Sequence, residues 1–171
     1  MVMLSSGLAL AQKIGYVNTE YILDNIPDYK TAQKQLDEVS VQWQKEIEAK
    51  YAEIDKMYKS FQAEQILLTE EMKKKREQQI VDKEKDVKDL QKQRFGQGGD
   101  LFKKRQELVK PIQEKVYNAV KKIAEEGSFA FILDKASDSL TMLYSNAKYD
   151  KSDDVLQALG YKVKVDSKKS K

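Results

Sequence analysis

Hydrophobic residues recur every three or four positions through most of this chain. From about residue 29 to 68 there is neither Gly nor Pro, and a stripe of apolar positions runs through Leu36, Val39, Trp43, Ile47, Tyr51, Ile54, Tyr58, Phe61 and Leu68. Ile47, Ile54, Phe61 and Leu68 repeat at seven residues, the period of a coiled-coil seam. At about 1.5 Å per residue such a helix is a rod roughly 60 Å long, which cannot bury its own stripe. Its partner follows directly. Ile66-Leu67-Leu68 make an apolar tip, Thr69 an N-cap, and Glu70-Glu71 an acidic first turn that the helix dipole favours. Beyond them Ile80, Val87, Leu101 and Leu108 keep one seven-residue register, interrupted only by Arg94, and Phe102, Val109, Val116 and Ile123 keep a neighbouring one. The pattern predicts a long antiparallel hairpin over 29–110, turning at Thr69 and based at Asp28 and Tyr29 opposite Val109 to Pro111.

Phe95-Gly96-Gln97-Gly98-Gly99-Asp100 interrupts the second arm opposite Trp43. Glycine in a helix interior costs about 1 kcal/mol relative to Ala. The break reads either as a hinge at Gly96, Gly98 and Gly99 or as a looped-out insertion in a long rod.

The two ends read differently. Residues 13–18 (KIGYVN) form a short β-type run, and Thr19 looks like the N-cap of a short helix stopping near Pro27. After Pro111 an apolar helical face runs through Ile112, Val116, Val120 and Ile123 to Gly127, the expected C′ residue. Phe129 to Leu133 and Leu140 to Tyr144 read as two strands of a β-hairpin, the first apolar on both faces and so central in a covered sheet. Ser152-Asp153-Asp154 caps a last short helix closed by Gly160.

The fold class is α+β, mostly helical, with a β body over 12–28 and 111–166 and a disordered Lys-rich tail over 167–171. So small a body buries too little of its unfolded surface to stand alone, since short domains bury only about 60 % of it. Subunits sharing the sheet would cover Ile14, Tyr16, Val17, Phe129, Phe131, Ile132, Leu133 and Leu143.

Composition narrows the chemistry. Of 171 residues, 35% are charged, yet 31 basic and 28 acidic residues leave a net charge of only +3, which gives no bulk attraction for nucleic acid. With no His and no Cys, imidazole bases, thiolate nucleophiles, disulfides and the usual zinc sites are excluded. The glycine run follows a helix and lacks the Lys-Ser/Thr ending of a phosphate loop, and Asp134 and Asp138 read as turn formers. The expectation is no enzyme, no catalytic residue, no metal and no cofactor. Residues 1–11 are apolar or small, uncharged, and end Ala9-Leu10-Ala11, the small-x-small pattern of a trimmed export signal.

The order KIGYVN, long helical hairpin, then FAFILDKASDSLTMLYSNAKYDKSDDVLQAL resembles the Skp/OmpH family of periplasmic chaperones across the mature chain. Asp134 after the apolar strand, Tyr144-Ser145-Asn146, and Asp153-Asp154-Val155 opening the last helix carry the resemblance best. It implies a homotrimer in which three hairpins project from a shared β body and enclose a cavity. It further implies a periplasmic, ATP-independent holdase whose partners are unfolded outer-membrane proteins. The alternative is a structural coiled-coil adaptor or scaffold of the envelope.

Candidate client contacts are Trp43, Tyr51, Met57, Tyr58 and Met72, although an aromatic stripe at helical spacing is also what a plain seam requires. Lys73, Lys74, Lys75 and Arg76 form a basic tip suited to weak contact with anionic membrane, or a solvated first turn balanced by Glu70, Glu71 and Glu77.

Overall fold

A computed structural model describes residues 12–139 and 141–162. The segment over 1–11 expected to be an export signal, Leu140 of the expected second strand and the tail expected over 167–171 lie outside the described residues. The chain divides into two compact units, one comprising the residues up to Lys30 with those from Pro111 onward, the other Thr31–Lys110.

In the first unit, strand β1 (Lys13–Val17) pairs in parallel with β2 (Phe129–Asp134), setting Ile14 beside Phe131, Tyr16 beside Leu133 and Val17 beside Asp134. This corrects the expected β-hairpin: residues 141–146 form no strand. The reason lies in the turn that ends β2. The Asp134 carboxylate accepts the Ala136 N–H at 3.0 Å, and the Lys135 N–H donates to the Val17 carbonyl at 2.7 Å. Those bonds tie the turn to β1 instead of folding it back along β2. On its other side β1 bridges to Asp150, with the Lys151 N–H on the Tyr16 carbonyl at 2.8 Å.

Helix α1 (Thr19–Asp24) is capped by Asn18, whose extended backbone turns its side-chain oxygen onto the Tyr21 N–H at 3.0 Å. Thr19 is therefore not the cap; its own N–H and hydroxyl both donate to Asp134. Pro27 then opens α2 (Pro27–Glu64), at the first helical position, where its missing N–H costs nothing.

Two further expectations are corrected. Helix α4 (Asp100–Glu126) runs through Pro111 and ends at Gly127, but the left-handed residue is Ser128, at φ 51°. Gly127 is needed because the Phe129 ring occupies the space where a Cβ would stand. In α5 (Ser152–Ala158) Ser152 is the first helical residue; the Asp150 carboxylate accepts its N–H at 2.9 Å, and its hydroxyl accepts the Asn18 N–H at 2.8 Å. Gly160, at φ 85°, closes α5 as expected, with the Tyr161 N–H on the Leu156 carbonyl at 2.9 Å. Ile22, Ile26, Val17, Val155 and Leu156 form the fully buried centre of this unit.

The second unit is the expected hairpin. After α2 a single 3-10 turn, Gln65–Leu67, leads to Thr69, whose hydroxyl accepts the Met72 N–H at 3.3 Å to cap α3 (Glu70–Phe95). Ile47 and Ile54 of α2 pack on Ile80 and Val87 of α3, with Met57, Phe61, Leu90 and Phe95 partly buried around them. Two ion pairs fix the register: Glu64 with Arg76 at 3.5 Å, and, eighteen residues further along each arm, Glu46 with Arg94 at 3.7 Å. The glycines do not weaken a helix interior, because the helix stops there. The Gly96 N–H caps α3 on the Lys92 carbonyl, Gly98 adopts φ 70°, and Asp100 starts α4. The returning arm is two helices end to end, while α2 opposite is continuous.

Candidate functional site

Three surfaces concentrate exposed apolar or basic side chains, and each follows from how the helices and strands are built. On the arms, Tyr51 and Tyr58 stand four residues beyond the seam positions Ile47 and Ile54, one turn along the same helix, and so flank the buried stripe. They remain 40% and 51% exposed, and Met72, just past the tip, is 49% exposed. Met57 and Trp43 are placed differently. Met57 packs against the seam cluster, and Trp43 meets Phe95 edge-on with ring centroids 6.3 Å apart and carries the Arg94 guanidinium 4.6 Å above its ring. Val41 and Val81, both about half exposed on the arms, were not among the expected contacts, and an apolar residue off the seven-residue register is the signal that finds them; Phe102, although on such a register, is about half exposed as well.

At the tip, Ile66 and Leu67 are 88% and 86% exposed, because the 3-10 turn holds both outside the seam. The neighbouring basic run is partly committed within the hairpin. Lys73 pairs with Glu70 at 2.7 Å and Arg76 with Glu64, while Lys74 and Lys75 are exposed on the first turns of α3.

On the body, Tyr16 and Val17 are buried, but Ile14, Phe131 and Leu133 are partly exposed, Phe131 the most at 59%, and Leu143 is 95% exposed. Phe129 and Ile132 are half-buried, Phe129 with the Lys13 ammonium 4.1 Å from its ring centre. A shallow apolar groove of about 790 Å³ runs between Ile14, Leu133, Met142, Tyr144 and Tyr149. In the two-stranded sheet β2 has β1 as its only ladder partner among the described residues. A strand with one edge open and apolar side chains as exposed as Phe131 is unusual in a lone subunit.

These surfaces offer contact area and charge rather than reactive chemistry. Asp134 is occupied by Thr19 and Ala136, and Asp153 accepts the Tyr21 hydroxyl at 3.0 Å. Among the described residues no cluster of acidic side chains is arranged to hold a metal ion, and no helix is long and apolar enough to cross a membrane.

The family model described as outer membrane protein (OmpH-like) matches residues 13–159. No curated protein matches the chain. Among solved structures, the crystal structure of an OmpH-like protein from Caulobacter crescentus CB15, named as a candidate outer membrane chaperone, superposes with a TM-score of 0.70. That match covers 92% of this chain and 89% of the other at 13% identity, a likeness of fold.

Proposed function

Because this chain belongs to the OmpH-like family, we propose that it is an ATP-independent holdase of the periplasm that keeps unfolded outer-membrane β-barrel proteins from aggregating. The observation that carries the reading is the row of side chains left open beside the arm seam, Tyr51, Tyr58 and Met72, with Ile66 and Leu67 at the tip. A barrel strand alternates apolar and polar residues, so it is met better by many weak apolar contacts spread along a rod than by one pocket. Several such contacts raise avidity while each stays reversible, which is what release without nucleotide hydrolysis requires.

The assembly in this proposal is a homotrimer joined through the body. The open edge of β2 and the exposed Ile14, Phe131, Leu133 and Leu143 support it, because association would cover an edge and a face that one chain leaves bare. The small-residue ending of Met1 to Ala11 supports export. Lys74 and Lys75 allow weak contact with anionic membrane, and no enzymatic step, cofactor or nucleic acid enters the proposal.

Native mass spectrometry tests the whole of it. The protein is measured alone and after mixing with several unrelated outer-membrane β-barrels diluted from urea. The proposal expects a trimer that captures each barrel at defined stoichiometry and suppresses its light scattering. A protein that ignores denatured barrels and binds one folded envelope partner is an adaptor, and the proposal fails.

A further inference from the structure

The glycine break and Arg94 form one mechanical unit. Arg94 stands one residue before the end of α3, and its guanidinium reaches three ways. It pairs with Asp100, the first residue of α4, at 2.8 Å; it reaches Glu46 of α2 at 3.7 Å; and it lies 4.6 Å over the Trp43 ring. It therefore spans the break and pins both ends of it to the uninterrupted arm. Its Nε is buried without a hydrogen-bond partner among the described residues, so the clamp is held at a cost and not in an optimal nest of acceptors.

A paired helical rod meets a geometric problem when it bends. For two helices packed about 9 Å apart, a bend of about 20° in their common plane makes one path about 3 Å longer than the other. A continuous helix rises about 1.5 Å per residue and cannot stretch or shorten by that much without losing hydrogen bonds. Here one arm, α2, is continuous, whereas the other holds four residues between α3 and α4, from Gly96, whose N–H still bonds to the Lys92 carbonyl, to Gly99, whose carbonyl already accepts the Lys103 N–H. Gly98 in its left-handed conformation has nothing within 4 Å of where a Cβ would stand, whereas Gly96 and Gly99 lie close against the Lys92 and Gln93 carbonyls, so the room to change length is at Gly98, between two anchored ends.

We infer that Gly96 to Gly99 is a length-compensating joint that lets the arm curve while α2 stays intact, and that Arg94, bound to Asp100 and stacked on Trp43, is the latch that sets its resting position. The inference concerns regulation of the arm proposed above to hold clients and rests on that reading for its purpose. The joint itself is tested without any client.

The chain has no cysteine, so a cysteine pair can be installed uniquely at Lys88 and Lys103, exposed positions on either side of the break. Distance distributions between spin labels are recorded on the full-length assembly for the parent, Arg94→Met and Asp100→Asn, with helicity followed by circular dichroism. A latched joint gives a narrow parent distribution that broadens about twofold in both variants at unchanged helicity. Widths and means that match the parent in both variants overturn the latch. Should Arg94→Met lose helicity, Asp100→Asn, which keeps its size, decides alone. A latch that holds in a protein unable to suppress barrel aggregation would sink the holdase reading and leave the joint standing, and the reverse result would do the opposite.

Discussion

Thr19 meets Asp134 twice: its N–H donates to Oδ1 at 3.1 Å and its hydroxyl to Oδ2 at 2.7 Å. The same Oδ1 accepts the Ala136 N–H at 3.0 Å. One carboxylate thus joins the start of α1, the end of β2 and the turn after it, and so closes the small unit. Hydrogen bonds to a charged group contribute about 1.5–3 kcal/mol, and removing the acceptor also strands its donors. Asp134→Ala is expected to destabilise the unit by about 2–3 kcal/mol and Asp134→Asn by less, since the amide retains one accepting oxygen. Urea midpoints at a fixed protomer concentration measure this, because association adds concentration-dependent stability. An unchanged midpoint for the Ala variant would remove Asp134 from this role.

That contact also shows what the sequence could and could not reveal. The hairpin was legible because its period is local: Ile47 and Ile54 announce a seam, Thr69 followed by two acids announces a turn, and the facing register follows by counting. The partner of Phe129–Asp134 was not legible. Its apolar run lies beside another at 140–144, and short-range reasoning pairs neighbours, whereas the actual partner, Lys13–Val17, comes from the other end of the chain. Asn18 and Thr19 are both good capping residues; only the position of Asp134 decides that Thr19 is used elsewhere. For the site, register separates Tyr51 and Tyr58 from the seam correctly, but Met57 and Trp43 are drawn inward by the cluster and by Arg94, contacts that a seven-residue count does not contain.

Two glycines should fail for opposite reasons. At Gly127 the Phe129 ring and the Ile123 carbonyl crowd the Cβ position, so Gly127→Ala forces the ring aside, an overpacking that costs about 1–3 kcal/mol. At Gly98 the space is open and only the backbone conformation objects, which costs about 1–2 kcal/mol for Ala. Asn tolerates the left-handed region, so Gly98→Asn should recover much of the Gly98→Ala loss while Gly127→Asn recovers nothing. Thermal melts of the four variants separate the two causes.

The proposed assembly gives the body its own test. Phe131 is 59% exposed in the single chain, so Phe131→Asp should change the fold of one subunit little. If copies associate through this face, the new carboxylate is forced into an apolar contact at about 2 kcal/mol or more. That corresponds to at least about a thirtyfold loss in association. Light scattering coupled to size exclusion should show the mass falling toward the monomer at low micromolar protein while far-ultraviolet circular dichroism is retained. A variant that keeps the parent mass would place the subunit contact elsewhere.

Tyr51 and Tyr58 provide the sharpest separation between holding a client and holding the hairpin together. Both rings lie beside the seam and not in it, and both remain about half exposed, so their replacement by Gln removes apolar area from the surface and leaves the Ile47, Ile54, Ile80 and Val87 cluster in place. Surface changes of this kind shift stability by no more than about 0.5 kcal/mol. Gln also favours helix slightly more than Tyr does, so helicity should be unchanged or marginally higher. Burying a Tyr ring is worth about 2 kcal/mol, of which a reversible client contact realises only part. Loss of both rings on each arm should therefore weaken suppression of barrel aggregation several-fold through lost avidity. Adding Met57→Gln to the pair is the informative contrast: it should lower the melting temperature as well, because Met57 packs on the seam. A Tyr51→Gln/Tyr58→Gln protein that suppresses aggregation as well as the parent would move client contact from the flank of the seam to the tip residues Ile66 and Leu67.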